Sequence, residues 1–538
     1  SFRLIRLKDR KDYKERKGGT DERTLLSSLI SCKAFEQYTG RSIMRKNIVI
    51  IGSLIFTFLF VAFGIFAPDT MGEIANYILY TFISDNFGWY YMLVAFLFVA
   101  VCLYTAFSKY GKIRLGKDDE KPEFSTFTWI AMLYSCGLAI SLFFWGVAEP
   151  VLMYIDPPFG EGETKGAAEV AMRYTYFHWG LHSWGAYAIV GLIMAYFQYR
   201  KEAPPLINHT LQPLLGERAF GPIGKFINIL AIFACISGIT TSLGLGASQM
   251  GSGFEYVLGI PNTPVNQIIL ILVLSVMFII SASTGVKRGI KWLSNINIVI
   301  ALFIMVLIFI LGPTKRLLEL FVTTTGDYIQ NFIGMSFHLE PFLTDYTWQA
   351  AWDFFYWGWA ISFGVFVGLF FARISKGRTI KEFIIGAMLI PTLATMIWYT
   401  TMGGTALYNI VTLGNHELAN RILENMTTAL FYFLELFPAS SFIISLTFIS
   451  LIIFFVTSAD STVYVLGMYS EETMVPSNRS KILWGVVIAG VAIALLLTGG
   501  LTPLQTVSAV AGLPFSVVVV LMCVAFFKAL RDEVRSEE

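Results

Sequence analysis

The sequence predicts an all-α polytopic membrane protein with twelve transmembrane helices. Only 14% of its 538 residues are charged and 55% are hydrophobic, whereas soluble proteins carry about 25% charged residues. Twelve apolar stretches each approach the roughly 20 residues that cross a bilayer as a helix. The loops between these stretches alternate between basic and acidic or neutral, as expected for the two sides of a membrane.

The twelve predicted spans, numbered in chain order, are oriented by the charge of their loops. Lys and Arg concentrate in the N-terminal tail and in every second loop, such as "SKYGKIRLGK" and "ARISKGRTIKE". Because positive charge stays on the cytoplasmic side, both termini are predicted to be cytoplasmic, in a cell (plasma or inner) membrane. The spans centre on 47–66, 88–108, 127–153, 174–198, 223–249, 264–284, 291–312, 347–372, 382–402, 440–465, 482–499 and 504–527.

Segments outside the spans are short. A basic cytoplasmic tail, 1–46, precedes span 1, and a short tail, 529–538, follows span 12. An amphipathic segment, 314–346, is predicted to lie along the outer membrane surface. The net charge of only +2 implies no nucleic-acid partner. An enzyme or a channel is disfavoured, because no catalytic motif and no repeated filter segment is found, and no cofactor is predicted.

Span 3, "YSCGLAISLFFWGVAEP", alternates small and apolar residues at Gly137, Ala139 and Ser141. Small residues at every second position do not make one helix face, which favours local unwinding, with close helix packing as the alternative. Glu149, beside Pro150, is interpreted as a residue anchored at the membrane interface, and the alternative is a buried functional carboxylate.

Span 8 echoes span 3. Residues Ala360–Ser362 repeat Ala139–Ser141 five spans later. Two repeats with an odd number of spans are inverted relative to one another, a recurring plan in secondary transporters.

Span 10 contains a polar interruption, "TSADST" at 457–462, in an otherwise apolar helix. A single Ser or Thr usually bonds its own backbone, but five polar residues within six positions indicate more. Adjacent hydroxyls with carbonyls of an unwound neighbour would suit Na⁺. Asp460 is expected to balance charge or to bond nearby backbone rather than to ligate an ion.

Span 4 carries an aromatic run, "YFHWGLHSWGAY". On a continuous helix at about 100° per residue, four rings share one arc: Tyr176, Trp179, Trp184 and Tyr187. Convergent ring faces suit a quaternary ammonium, which donates no hydrogen bond, and aromatic core packing is the alternative. His178 and His182 fall on the other side and are predicted to be hydrogen-bonded packing residues, not metal ligands.

Five motifs in order carry a family resemblance: "AEP", "FHWGLHSWGAYAIVG", "TSLGLGA", "FARISKGRTIKEFI" and "FFVTSADS". Nearly all of the chain, from span 1 to span 12, resembles the betaine/carnitine/choline transporters. This resemblance implies a LeuT-like core of two inverted five-helix repeats, 127–313 and 347–528. Spans 1 and 2, within 47–126, would be peripheral, and the protein would form a homotrimer.

The resemblance also implies site residues. Three residues of span 4 would belong to an ammonium-binding aromatic box: Trp179, Trp184 and Tyr187. Two positions of span 8 would line the substrate pathway: Trp359 and Phe363. A sodium site would use two hydroxyls and two backbone carbonyls: Thr457, Ser458, Ser135 and Leu138.

Two departures from the family bear on the solute. Ala360 stands where betaine carriers supply the fourth aromatic, which leaves the box open and makes room for a larger or differently shaped solute. The family's Gly-x-Gly-x-Gly pattern in span 3 reads Gly137-x-Ala139-x-Ser141. Choline-type members carry Asp at the third position, so Ser141 argues against choline.

Other departures bear on the coupling ion. Cys235 and Ile239 stand where the family's second sodium site has threonines, so that site is predicted to be absent unless Thr240 or Thr241 substitutes for them. Sodium-independent exchangers place a basic side chain from span 7 in the first site, whereas span 7 here has Asn295 and Asn297, expected to bond neighbouring helices.

The expected function is a secondary transporter that imports a quaternary-ammonium or betaine-type zwitterion, with Na⁺ as the coupling ion. The alternative is a sodium-independent or proton-coupled exchanger of carnitine, choline or betaine-like compounds, and an ectoine-like solute is also possible. The expected partners are this small molecule and the lipid bilayer.

Overall fold

A computed structural model describes residues 49–137, 139–284, 287–342, 346–473, 475–497 and 501–537. The chain divides into two units, Ser1–Ile51 and Gly52–Glu538, and the second is compact. The predicted tail, 1–46, belongs to the first unit and lies outside the described residues. The described chain is helical without a β-strand, which confirms the all-α class. Its helices long and apolar enough to cross a membrane number eleven: Val49–Phe66, Pro68–Phe107, Lys165–Arg200, Pro222–Leu258, Pro264–Thr284, Leu293–Leu311, Thr347–Ile374, Ile380–Thr412, Ser440–Glu471, Asn478–Leu497 and Thr502–Arg535.

Span 3 is the predicted span that does not form one long described helix. Two shorter helices, Thr126–Gly137 and Ala139–Ile155, take its place. They flank Leu138, which lies outside the described residues, so local unwinding of span 3 stays a prediction. The count of twelve spans therefore rests on joining these two helices.

The segment between the predicted spans 1 and 2 begins with "APDTMGE" at 67–73, and it is helical from Pro68 instead of forming the expected loop. A helix begins at Pro68 and continues through a π-helical turn, Ile78–Ile83, to Phe107. Proline at the first turn of a helix lacks an N–H that would be unpaired there, so it favours a helix start. At the other end of the chain, the last helix runs from Leu501 to Glu537, so residues 529–537 of the predicted tail are helical.

The predicted amphipathic segment forms a helix, Thr314–Ser336, called the surface helix here. Its Asp327 pairs with Arg173 at the start of span 4, at an N–O distance of 3.0 Å. Nearby in the chain, Trp348 at the start of span 8 donates to the carbonyl of Asp156 after span 3. These contacts gather the segments after span 3 and before spans 4 and 8 at one end of the bundle.

The basic loops meet at the opposite end. Arg200, at the end of span 4, pairs with Asp118 at 2.5 Å and with Glu533 of the last helix at 2.6 Å. Lys376, after span 8, pairs with Glu120 and holds the pKa of that carboxyl below its usual value. The grouping agrees with the predicted alternation of loop charge.

Span 8 lies at the centre of the bundle, where glycines bring its backbone against three neighbours. A Cβ at Gly368 would lie 2.9 Å from the backbone nitrogen of Gly191 in span 4. A Cβ at Gly238 of span 5 would lie 2.7 Å from the Cα of Phe363, and one at Gly512 of span 12 would lie 2.8 Å from the Cα of Gly358. Real Cβ atoms do not approach backbone so closely, so these positions accept only glycine.

The contact between spans 8 and 12 generates a stability prediction. Gly512→Ala places its Cβ against backbone that cannot rotate away, and we expect the free energy of unfolding to fall by about 1–3 kcal/mol. Gly326→Ala in the surface helix is the control, because no described atom lies within 4 Å of its Cβ position and alanine favours a helix by about 1 kcal/mol over glycine. Thermal unfolding of the purified proteins in detergent compares the two. Equal melting temperatures would contradict the assigned packing.

Candidate functional site

Span 4 is interrupted within its aromatic run. One helix ends at Trp179 and the next begins at Leu181. Gly180 between them has φ −94° and ψ −134°, outside the helical region. A Cβ here would lie 3.0 Å from the hydroxyl of Tyr328 in the surface helix. The prediction that four rings share one arc of a continuous helix is therefore wrong.

Trp179 points toward spans 8 and 9. Its ring centroid lies 5.4 Å from that of Tyr356, 5.9 Å from that of Trp359 and 5.4 Å from that of Tyr399. Tyr176 instead packs edge-on against the surface helix.

Trp184 lies against span 3. Its ring stacks on Tyr134, with centroids 6.0 Å apart and planes 16° apart, and meets Tyr187 edge-on at 5.8 Å. Its Nε1 donates to Oγ1 of Thr395 in span 9 at 3.1 Å. Tyr187 in turn meets Phe363 of span 8 edge-on at 5.9 Å.

These contacts bring together seven rings from spans 3, 4, 8 and 9, a group called the ring circuit here. Trp359 and Phe363 are one helical turn apart in span 8, and Tyr134 joins the group through its stacked contact with Trp184. Tyr134 is half-buried and the other six are buried. The members are Trp179, Trp359, Phe363, Tyr187, Trp184, Tyr134 and Tyr399. Such ring faces attract a quaternary ammonium by about 0.5–2 kcal/mol each.

The ring circuit also contains an unsatisfied donor. The hydroxyl of Tyr399 is buried and has no hydrogen-bond partner among the described residues. A buried polar group without a partner costs about 1–3 kcal/mol. A solute with an acceptor oxygen would satisfy this hydroxyl.

The other residues predicted to bind the solute have small side chains. Ala360 and Ser141 are buried, and Ala139 begins the second helix of span 3, where its side chain lies outside the described part. Ala360 contributes no ring, whereas Tyr399 and Tyr134 supply aromatic surface from spans 9 and 3.

The predicted ion site is only partly described. Thr457 Oγ1 donates to the carbonyl of Ile453 at 2.8 Å, which leaves its oxygen lone pairs free to meet a cation. Ser458 follows in the same helix and is half-buried. Ser135 lies in the last turn of the helix Thr126–Gly137, and Leu138 lies outside the described residues.

Asp460 carries a buried oxygen, Oδ1, without a partner in the described part of the chain. Its polar neighbours are Ser281 of span 6 and Lys481 of span 11. Lys481 is buried and donates to the carbonyl of Ala282 at 2.6 Å. The lysine supports the expectation that Asp460 takes part in charge balance.

Polar residues of spans 5 and 7 connect helices. Asn297 donates to the carbonyl of Ser450 in span 10 at 3.0 Å, which confirms the predicted interhelical bond, whereas Asn295 is exposed. Thr241 donates to the carbonyl of Leu504 in span 12 at 2.7 Å. The second-sodium-site positions in span 5, Cys235 and Ile239, are both buried.

A buried charged cluster adjoins the ring circuit. Glu149 is 0% exposed, so its interpretation as a residue anchored at the membrane interface is wrong. Its Oε1 lies 2.9 Å from Nδ1 of His178, and its Oε2 accepts hydrogen bonds from Nε1 of Trp179 and the hydroxyl of Tyr356. Nε2 of His178 lies 2.9 Å from Oδ1 of Asp353. The carboxylate is kept inside the bundle because three groups hydrogen-bond to it.

The second histidine is also hydrogen-bonded. Nε2 of His182 lies 3.0 Å from the hydroxyl of Ser336 in the surface helix. Both histidines therefore bond neighbours as expected. Among the described residues, no group of three or more His, Cys, Asp and Glu has a geometry that could hold a metal ion.

Sequence reasoning missed four residues of this region: Tyr134, Asp353, Tyr356 and Tyr399. Each is a polar-tipped side chain within an apolar span, in "YSCG", "WDFFYWGW" or "WYTTMGG". A polar group at membrane depth is itself a signal of function. That signal was available for all four.

Known proteins similar to this chain are transporters. The family model described as BCCT, betaine/carnitine/choline family transporter, matches residues 48–535. The chain is 45% identical to the glycine betaine transporter OpuD of Bacillus subtilis (strain 168), over 88% of this chain and 92% of the relative.

Relatives of lower identity are named for other solutes. The ectoine/hydroxyectoine transporter of Virgibacillus pantothenticus is 41% identical, over 92% of this chain and 98% of its own length. The high-affinity choline transport protein of Escherichia coli (strain K12) is 36% identical, over 89% of this chain and 71% of its own length.

The buried carboxylate generates a second prediction. Glu149→Leu leaves His178, Trp179 and Tyr356 without their acceptor, and we expect the free energy of unfolding to fall by about 3 kcal/mol or more. Glu169→Leu removes an exposed carboxylate from the start of span 4 and should change it by about 0.5 kcal/mol or less. Thermal unfolding in detergent measures both, and two similar melting temperatures would be inconsistent with the hydrogen bonds described.

Proposed function

Because the chain belongs to the betaine/carnitine/choline family of transporters, we propose that it imports a quaternary-ammonium or betaine-type zwitterion together with Na⁺. Members of this family are transporters, so the chain is a multi-pass transporter of the cell membrane and not an enzyme. The proposal concerns the solute, the coupling ion and the direction of transport.

The observation that carries the proposal is the ring circuit. Its seven rings come from four spans and are almost entirely buried, so a trimethylammonium group among them would lose water and gain several ring faces at once. The Tyr399 hydroxyl offers a donor to a solute carboxylate. A positive head and a negative tail are the two features of a betaine.

Sodium coupling is supported by the hydroxyls of span 10. Thr457 donates to its own helix and keeps oxygen lone pairs for a cation. Phe454, one turn earlier, contacts Phe143 of span 3 with ring centroids 5.8 Å apart, so spans 3 and 10 adjoin. An ion between these spans would stabilise the conformation that holds the solute, and linkage then couples the two.

The wider architecture is inferred from the family resemblance. Two inverted five-helix repeats, 127–313 and 347–528, would change their relative arrangement to alternate access. Both termini would be cytoplasmic, and the protein would assemble as a homotrimer. A sodium-independent or proton-coupled exchanger is the second candidate. An ectoine-like solute is a further candidate, because Ala360 contributes no ring to the site.

Uptake into proteoliposomes tests the coupling. With a panel of glycine betaine, carnitine, choline and ectoine, we expect uptake of at least one solute to rise at least about tenfold with an inward Na⁺ gradient. Thr457→Val removes one hydroxyl of the proposed ion site and should raise the Na⁺ concentration needed for half-maximal uptake. Thr105→Val, which removes a buried hydroxyl in span 2, is the control. Uptake that does not depend on the Na⁺ gradient would rule out Na⁺ symport and favour the exchanger.

Solute binding tests the ring circuit. Trp184→Ala deletes a ring that contacts two other members, and we expect the dissociation constant of the transported solute to rise at least about tenfold. Trp89→Ala removes a tryptophan that is 56% exposed on span 2 and should leave it unchanged. Titration of purified protein followed by calorimetry supplies the constants. Normal solute binding by the Trp184 variant would refute an ammonium site at these rings.

A further inference from the structure

Three buried ionisable side chains, called the carboxylate cluster here, have no part in the function proposed above: Glu149, His178 and Asp353. They connect spans 3, 4 and 8, and each is at most 2% exposed. The phenols that face them, Tyr174, Tyr356 and Tyr399, are neutral at pH 7. The charge of the cluster is therefore not cancelled by its immediate neighbours.

Geometry sets that charge. Each nitrogen of His178 lies 2.9 Å from a carboxylate oxygen, and each of these two contacts requires one proton, because an unprotonated nitrogen and a carboxylate oxygen are both acceptors. Two carboxylates and a fully deprotonated imidazole carry three negative charges, and two shared protons leave one. The net charge of the carboxylate cluster is therefore −1, whether each proton is bonded to the nitrogen or to the carboxylate oxygen of its contact.

This charge adjoins the ring circuit. Oε2 of Glu149 accepts from Nε1 of Trp179 at 2.5 Å and from the Tyr356 hydroxyl. Trp179 is a member of the ring circuit, so the negative charge lies at the polar edge of one of the rings proposed to hold the ammonium group. In a water-poor interior, a charge at such a distance favours a cation and opposes an anion.

We propose that the carboxylate cluster is a specificity determinant, a fixed counter-charge that raises the affinity for a quaternary-ammonium solute of net charge +1 relative to a zwitterion with the same head. The inference rests on the proposed function, since it requires the ring circuit to hold an ammonium group. Attraction to the head acts on both solutes, but repulsion of the carboxylate offsets it only in the zwitterion.

The test removes the charge and keeps the hydrogen bonds. In Glu149→Gln/Asp353→Asn, the Gln amide can donate to Nδ1 of His178, and Nε2–H can donate to the Asn oxygen, so both contacts survive with net charge zero. Choline and glycine betaine share the trimethylammonium head and serve as probes. We expect the dissociation constant of choline to rise on the order of tenfold and that of glycine betaine by less than about threefold. Calorimetric titration of purified protein in detergent at pH 7 measures the ratio.

The control, Glu161→Gln/Glu169→Gln, removes two exposed carboxylates near the start of span 4 and should leave the ratio unchanged. Equal weakening of both probes by the double variant would show a purely structural role and overturn the inference alone. A wild-type protein that binds neither probe would also overturn the inference, and one that in addition takes up no solute of the panel would overturn the proposed function.

If the double variant does not fold, the single variant Glu149→Gln is used to measure the ratio of the two dissociation constants. Its remaining charge sits on Asp353, on the far side of His178 from Trp179, so the ratio should shift in the same direction by a smaller factor. An unchanged ratio in this variant would also overturn the inference.

Discussion

Close backbone packing around span 8 is the constraint on which the rest of the structure depends. Glycines at the contacts with spans 4, 5 and 12 let helix backbones approach without side chains between them. Within a membrane, where burial of apolar surface drives helix association only weakly, such contacts supply the van der Waals energy that holds helices together. They also fix the rotation of span 8, so Trp359, Phe363 and Tyr356 can meet rings from neighbouring spans.

Hydrogen bonds then orient the rings. Nε1 of Trp359 donates to the carbonyl of Gly238 at 3.1 Å, Nε1 of Trp184 to Thr395, and Nε1 of Trp179 to Glu149. Each indole is held at its polar edge, which leaves its face to contact other groups. The ring circuit is therefore preorganised by three acceptors from three different spans, and little side-chain entropy would be lost if a solute bound there.

The helical class, nearly all span positions and the surface helix could be predicted from the sequence, because apolar length and loop charge are local properties. The aromatic face of span 4 could not, since the angular argument assumed a continuous helix and the backbone turns at Gly180. Glu149 was misplaced for a related reason: its position near the end of span 3 indicates depth along a helix, whereas its burial depends on His178, Trp179 and Tyr356 from spans 4 and 8. Contacts between distant spans decide both cases, and no pattern within one span encodes them. The helix start at Pro68 was missed for a different reason, because it depends on a local signal, proline in the first turn, rather than on hydropathy.

The unpaired hydroxyl of Tyr399 has a consequence for the empty protein. This hydroxyl has no partner in the part of the chain that the structure describes, so a closed site that excluded water would leave it unsatisfied, whereas an opened site would hydrate it. Under the proposed function, the empty molecule would gain free energy by admitting water, and a molecule loaded with an acceptor-bearing solute would close without that loss. Hydration of one phenol would then bias closure toward the occupied state, so the atom proposed to bind the solute would also oppose closure of an empty site.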